Sequence, residues 1–399
     1  MAVFQNEGKT WHFKRYPETT NRSLRSWSAA DELLLKEFNE YREQAEFTAS
    51  ELTIALYHDR FGFLSTVLHS WKPRSIVNYS SQDKAMRQNF SQNNLSIDES
   101  LRLTPLQKSE ETFSLVLMKV PKSMELFELY LRHITLHAGD GGSQQVFAGF
   151  MTRHFTPQML EISRRYFGSV EQSLAHKKAR LLKLSKPLES AFNTAGAASP
   201  FDELRKEISW KLPEQLRQDG TDTLTLQQYY GVFSSGEVDE ATNLLLSHLE
   251  LDETKRAILD MGCGNGIIAK AVQMMKHTDD AEIHALDDDF LACESAKLNL
   301  GEAAMVHHYD GLDMFPSDFF DVIFTNPPAH FEHENNIEVS LSLFKQAAKK
   351  LKKGGTLWVV SSRHLNYGTH LKSWFTCTVK AQTPAFELLL CRKESTSPA

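Results

Sequence analysis

The segment Asp260-Met-Gly-Cys-Gly-Asn-Gly266 constrains this chain more than any other. It follows a short apolar run, Ala257-Ile-Leu-Asp260, and precedes residues 266–275, whose apolar spacing is that of a helix. Glycines at alternate positions let a backbone turn tightly from strand to helix beside a ligand without Cβ clashes. The spacing is Gly-x-Gly-x-Gly, whereas dinucleotide folds use Gly-x-Gly-x-x-Gly. No Gly-Lys-Ser/Thr closes this loop, so a phosphate-cradling P-loop is excluded here. On either side, apolar runs alternate with helical stretches. Strands are predicted at 257–260, 282–287, 305–308, 321–325 and 356–360, and helices at 266–275, 291–300 and 343–351. Such alternation builds a parallel sheet covered by helices on both faces. Residues 376–379 and 386–391 are expected to close it as an antiparallel hairpin.

The first half repeats this plan, with strands at 51–56, 75–77 and 113–118 and helices at 63–68 and 84–90. Lys119-Val-Pro-Lys122 stands where the second half has Thr325-Asn-Pro-Pro328. Asp59 and Lys119 are 60 residues apart, and Asp260 and Asn326 are 66 apart. An internal duplication follows, in which only the second copy kept its site. A length of 399 residues asks for two or three domains in any case. The run of small residues at 193–200 has no hydrophobic period and reads as linker. The expected division is 1–190, a linker at 191–222, and 223–399. Charge follows a similar split. Residues 1–200 carry 25 basic and 21 acidic side chains, a net of +4, and residues 201–399 carry 19 and 30, a net of −11. Asymmetry of this kind marks a nucleic-acid partner for the basic half.

The acids of the second half describe a ligand. Asp260, beside the glycines Gly262, Gly264 and Gly266, suits an ammonium group and repels phosphates. Asp287 ends the next strand 21 residues past Gly266, where a carboxylate can hold both ribose hydroxyls, and Asp288 extends the acidic run. Asp310, after the third strand, can accept a hydrogen bond from an adenine amine. Together they describe a cationic adenosine ligand, S-adenosylmethionine. Asn326-Pro327-Pro328 lies just past a predicted strand, at the carboxyl edge where open α/β sheets bind ligands. Two prolines stiffen that loop. The Asn326 carboxamide and the Pro327 carbonyl can then accept hydrogen bonds from an exocyclic amine and aim its lone pair at the methyl group.

Asp260-x-Gly-x-Gly-x-Gly with Asn326-Pro-Pro resembles the class I methyltransferases that modify exocyclic amines. Over nearly the whole chain the resemblance is to the bacterial ribosomal RNA guanine-N2 methyltransferases, the RlmG/RsmC family. Trp27-Ser-Ala-Ala-Asp-Glu-Leu-Leu-Leu35 and Val116-Leu-Met-Lys-Val-Pro-Lys122 look like its large-subunit branch, which acts on 23S RNA. Tyr230-Gly-Val-Phe-Ser-Ser235 and Ser362-Arg-His-Leu-Asn-Tyr367 match both branches, the other of which acts on 16S RNA. The resemblance implies two tandem class I domains, Rossmann-like and seven-stranded, with the N-terminal one degenerate and used for RNA binding. It also implies that Phe233 and Ser234 lie near donor and target base. The family places an aromatic residue after Asn-Pro-Pro to stack on the flipped guanine. Ala329 stands there instead, with Phe331 as the substitute two residues on. Base–aromatic stacking contributes about 1–3 kcal/mol. A catalytically weak RNA-binding or assembly factor is therefore the rival reading.

Between 153 and 186 eight basic residues, among them Arg164, Arg165, Lys177, Lys178 and Arg180, face only Glu161 and Glu171. Phe155, Tyr166 and Phe167 are interleaved, a pattern that fits a phosphate-contacting surface. The His307–His308 pair and His330-Phe-Glu-His333 lack the further ligands a metal site needs, so no metal is expected. The four cysteines, at 263, 293, 377 and 391, show no Cys-x-x-Cys pair and no disulfide framework. Without a secretion signal or a membrane-length apolar run, a cytoplasmic, monomeric protein is expected.

Overall fold

The computed structural model describes residues 2–21, 24–139, 143–189, 199–217, 220–233, 236–276, 278, 280–327, 330, 331, 334, 335 and 337–394. The chain divides into two compact units, Met1–Leu204 and Arg205–Ala399.

The first unit opens with a hairpin, β1 (Ala2–Asn6) and β2 (Lys9–Phe13), and a helix α1 (Ala29–Gln44). Then come β3 (Ile54–Tyr57), α2 (Phe63–Val67), β4 (Arg74–Ile76), α3 (Ser80–Gln92), β5 (Arg102–Leu103) and β6 (Leu115–Lys119). The unit ends with α4 (Met124–Leu136), β7 (Gln145–Met151), α5 (Pro157–Tyr166), β8 (Phe167–Gln172) and β9 (Ala179–Pro187). Its seven-stranded sheet has the order β5-β4-β3-β6-β7-β9-β8, with β9 antiparallel to both neighbours.

The second unit starts with the hairpin β10 (Arg205–Lys211) and β11 (Thr223–Tyr229), then α6 (Glu240–Ser247). It continues through β12 (Ala257–Met261), α7 (Ile267–Gln273), β13 (Glu282–Asp287), α8 (Phe290–Leu300), β14 (Met305–His308) and β15 (Phe320–Thr325). After the two-residue strands β16 (His330–Phe331) and β17 (Glu334–Asn335) come α9 (Glu338–Lys350), β18 (Leu351–Ser362), α10 (Tyr367–Leu371), β19 (Thr376–Gln382) and β20 (Phe386–Arg392). The sheet order β14-β13-β12-β15-β18-β20-β19 repeats that of the first unit strand for strand. The duplication expected from sequence is thus a repeat of topology.

Strand burial explains why these runs fold this way. All five residues of β12 are buried, the pattern of a central parallel strand covered on both faces. Neighbouring residues face opposite layers. Ile258, Val322, Phe324, Trp358 and Val360 pack in one core with Ile268 and Val272 of α7. Leu259, Ile323, Leu357 and Val359 pack in the other with Phe344 of α9 and Tyr367 of α10. Each fully buried Ile, Leu or Phe contributes about 1.5–3 kcal/mol by leaving water. Strand order reverses beside β12, so a crevice for ligands opens at its carboxyl end.

Two expectations need correction. The stretch 191–222 is not all connector: Arg205–Lys211 is β10, paired along its length with β11. Its alternating Ile208 and Trp210 are buried while Glu207, Ser209 and Lys211 face out, so composition masked a period of two. Cys377 and Cys391 form a disulfide where none was expected. They are direct cross-strand partners in β19 and β20, with Cα atoms 4.1 Å apart, a proximity that their 14-residue spacing does not reveal. Cys263 and Cys293 are buried and free. No described helix is long and apolar enough to cross a membrane. Among the described residues no group of three or more His, Cys, Asp or Glu side chains could hold a metal ion.

Candidate active site

The glycine loop runs from β12 to α7. Gly262, Gly264 and Gly266 all take positive φ, at +74°, +53° and +82°. Gly266 starts α7, and a Cβ there would sit 3.0 Å from Leu300 Cδ1 and 3.2 Å from Ala296 Cβ. Around Gly262 and Gly264 a Cβ would meet nothing within 4 Å, so this side of the loop is open to a ligand. The loop is tied down from several directions. Leu286 carbonyl accepts from Gly262 N and Cys263 N, and Asp287 Oδ2 accepts from Gly264 N at 2.9 Å. Asn265 Nδ2 donates to Gln228 Oε1 at 2.9 Å, and Asn299 Nδ2 donates to the Asn265 carbonyl at 2.8 Å.

Three carboxylates crowd beneath it. Asp260 is buried; its Oδ2 accepts from Ala269 N at 2.9 Å, and its Oδ1 has no hydrogen-bond partner. Burial, with the nearby Asp287 charge, pushes its pKa up to about 7. Asp287 closes β13 and also accepts from Asp289 N through Oδ1 at 2.9 Å; burial raises its pKa to about 6. Asp289 caps α8 by accepting from Leu291 N at 2.8 Å, and burial followed by Asp287 raises it to about 8. Asp288 follows in the same turn, its carbonyl accepting from His308 Nε2 at 2.9 Å. Asp310 lies two residues past β14 and is partly exposed. An unpartnered buried oxygen among mutually repelling acids fits a cationic ligand.

Asn326 follows β15, whose Phe324 pairs in register with Asp260. The carboxamide is therefore level with the glycine loop on the adjacent strand. Its Nδ2 donates to Thr242 Oγ1 at 3.0 Å and to Asp239 Oδ1 at 3.3 Å. Asp239 caps α6, accepting from Thr242 N at 3.0 Å and from Thr242 Oγ1 at 2.6 Å. Pro327 is buried. Phe233 is 78% exposed. Ser234, Pro328 and Ala329, and the Phe331 side chain, lie outside the described residues. The structure thus brings Asp260, the three glycines, Asp287, Asp288 and Asn326 to one edge of one sheet. The sequence reading missed Asp239 and Thr242, although Asp-x-x-Thr before an apolar run is a capping signal.

The first unit shows how the same edge closes. Its turn, His58-Asp-Arg-Phe-Gly62, has one glycine instead of three. Asp59 still accepts from the amide of Ser65 at 2.8 Å, as Asp260 does from Ala269, but Arg60 and Phe61 are buried beside it. The Arg60 guanidinium lies 3.9 Å over the Tyr79 ring. Val120, which has no carboxamide, is buried where Asn326 would stand, and Lys119 pairs with Asp31 of α1 at 3.0 Å.

The basic run is partly neutralised by acids distant in sequence. Arg165 pairs with Glu128 at 2.8 Å, Lys177 with Glu32 at 3.0 Å, and Lys183 with Glu37. Arg164 and Lys178 are exposed, and Arg180 is half-buried, donating to Gln172. Lys177 and Lys178 form the β8–β9 turn with φ of +47° and +64°. Left-handed backbone costs a lysine about 1–2 kcal/mol, and hairpin turns of this kind favour Asn-Gly. Two lysines held there in spite of that cost put charge at the tip, near Leu174, which is 91% exposed.

Comparison with known proteins follows this division. Residues 1–188 match the family described as RLMG N-terminal domain, and residues 223–390 match the methyltransferase small domain. Ribosomal RNA large subunit methyltransferase G of Pseudomonas putida (strain GB-1) is 31% identical over 391 residues, covering 95% of this chain and 96% of that protein. The protein of the same description from Shewanella putrefaciens is 29% identical, covering 98% of this chain and 99% of the relative. Among solved structures, T. thermophilus RsmC, a 16S rRNA N2 methyltransferase in complex with AdoMet and guanosine, matches 98% of both chains with a TM-score of 0.73. At 20% identity that likeness shows a shared fold.

Proposed function

This chain belongs to the ribosomal RNA large subunit methyltransferase G family, and from that premise we propose that it methylates the N2 amine of a guanine in 23S ribosomal RNA. It is a methyltransferase of ribosomal RNA that uses S-adenosylmethionine. The observation that carries the finer reading is Asn326, set level with the glycine loop on the strand next to Asp260.

Bound at the loop, S-adenosylmethionine supplies a sulfonium methyl group already activated for transfer, and the rest is positioning. Asp260 Oδ1 offers an unpartnered charge to an ammonium, and the open side of Gly262 and Gly264 admits close approach. Asp287 and Asp288 would hold its ribose hydroxyls, and Asp310 its adenine amine. The guanine leaves its stack to reach the site. The Asn326 carboxamide oxygen and the Pro327 carbonyl accept the two N–H groups of its amine, and Pro328 stiffens the turn. Phe233, Ser234 and Phe331 flank the base. Arg164, Arg165, Lys177, Lys178 and Arg180 of the first unit hold RNA phosphates. The chain acts as a monomer in the cytoplasm.

The test is incubation with labelled donor and either naked 23S RNA or small ribosomal subunits, followed by nucleoside identification. Label in 23S RNA as N2-methylguanosine is expected. Label only in small subunits, or at another atom, would overturn the assignment.

The crowded acids make a second prediction. With pKa values near 7, 6 and 8, Asp260, Asp287 and Asp289 are partly protonated at neutral pH. A cationic ligand favours their ionised forms, so binding releases protons and affinity rises from pH 6 to 8. Calorimetry in two buffers of different ionisation enthalpy reads this directly. Equal heats in both would contradict it.

A further inference from the structure

We propose that Asp239 and Thr242 are positioning residues for the transfer, fixing the Asn326 carboxamide with its oxygen facing the amine. The inference rests on the function proposed above and adds the device that orients its central residue.

A carboxamide has an acceptor end and a donor end of nearly equal size, and a half-turn about its last bond exchanges them. Only one orientation serves, because the exocyclic amine donates N–H groups and needs an acceptor. Proton bookkeeping shows how that orientation is chosen. The Thr242 hydroxyl has one proton, and it goes to Asp239 Oδ2 at 2.6 Å. Towards Asn326, Thr242 Oγ1 therefore presents lone pairs only, 3.0 Å from Nδ2. Asp239 Oδ1, 3.3 Å from the same Nδ2, is likewise an acceptor. A flipped carboxamide would point its oxygen at two acceptors, so the Nδ2-inward form is enforced and Oδ1 is left for the substrate. The device is rigid because Asp239 and Thr242 form the capped first turn of α6, with Thr242 buried. In the first unit the equivalent place is differently filled. There Val120 replaces the carboxamide, and the first turn of α1 holds Lys119 through Asp31.

The experiment uses the full chain with the RNA that the wild type labels. It measures turnover, donor affinity by calorimetry, and melting temperature. Thr242→Val removes the hydroxyl at similar volume. It is expected to lower kcat about tenfold to hundredfold while donor affinity stays within about twofold. Thr242→Ser keeps the hydroxyl and is expected to restore kcat to within about threefold. Asp239→Asn preserves the helix cap but brings an NH2 group into the cluster. It should show the same fall in kcat at unchanged donor affinity, and it decides the matter if Thr242→Val does not fold. Wild-type kcat in both variants, or a Thr242→Ser variant as slow as Thr242→Val, overturns the inference alone. A wild type that labels no ribosomal RNA overturns the function proposal, and the inference with it.

Discussion

Asn326→Ala is expected to turn over about 10²–10³-fold more slowly than the wild type, the usual loss when one preorganised polar contact to a reacting group is removed. The side chain stands at the open edge of the sheet, so its removal leaves no core cavity. Its Nδ2 bonds go to Asp239 and Thr242, which keep each other. The fold and the glycine loop should therefore survive, and donor affinity should stay within about twofold. Single-turnover labelling of the RNA, with calorimetric titration of the donor, separates the two quantities. Turnover within threefold of wild type would remove Asn326 from the reaction. A matching loss of donor affinity would move it from the transfer to donor binding.

Gly266→Val should be the most damaging change in the loop, through structure rather than chemistry. At φ +82° a β-branched side chain is strained, and its Cβ would press on Leu300 Cδ1 at 3.0 Å and Ala296 Cβ at 3.2 Å. Backbone strain of about 1–3 kcal/mol and overpacking of about 1–3 kcal/mol point the same way. For a unit of this size, each kcal/mol lowers Tm by about 2–4 °C, so a fall near 10 °C is expected together with loss of donor binding. Gly264→Ala is the contrast. It meets nothing within 4 Å, so at φ +53° it carries only the left-handed backbone cost of about 1–2 kcal/mol and should melt well above Gly266→Val while intruding on the ligand's side of the loop. Thermal unfolding of both variants with and without donor checks the pair. Equal melting temperatures would show that the contact with α8 does not govern the loop.

Much of the second unit is legible in its sequence because its central strands are buried on both faces. Ala257–Met261 and Phe320–Thr325 are nearly unbroken apolar runs, and the glycines mark the turn between strand and helix. The site acids are legible too, since each lies at or just past the carboxyl end of a strand. What escaped depends on contacts between distant residues. Asn326 and Asp239 are 87 residues apart, and no local pattern says that a helix cap orients a carboxamide. Asp287 looked like a ribose ligand only, yet it also holds Gly264 N. The basic count near 153–186 could not register Glu32, Glu37 and Glu128, which arrive from other elements. β10 was hidden because only Ile208 and Trp210 face inward among charged neighbours.

The ties on the glycine loop carry a kinetic consequence. With Gly262, Cys263, Gly264 and Asn265 each bonded to the surrounding fold, the loop has little freedom left to lose when a ligand arrives. Association at the loop is then expected to wait on encounter and not on rearrangement. On the proposed reaction the slow, selective event passes to the RNA, whose target base leaves its stack to be modified. A chain built this way leaves its substrate to set the pace.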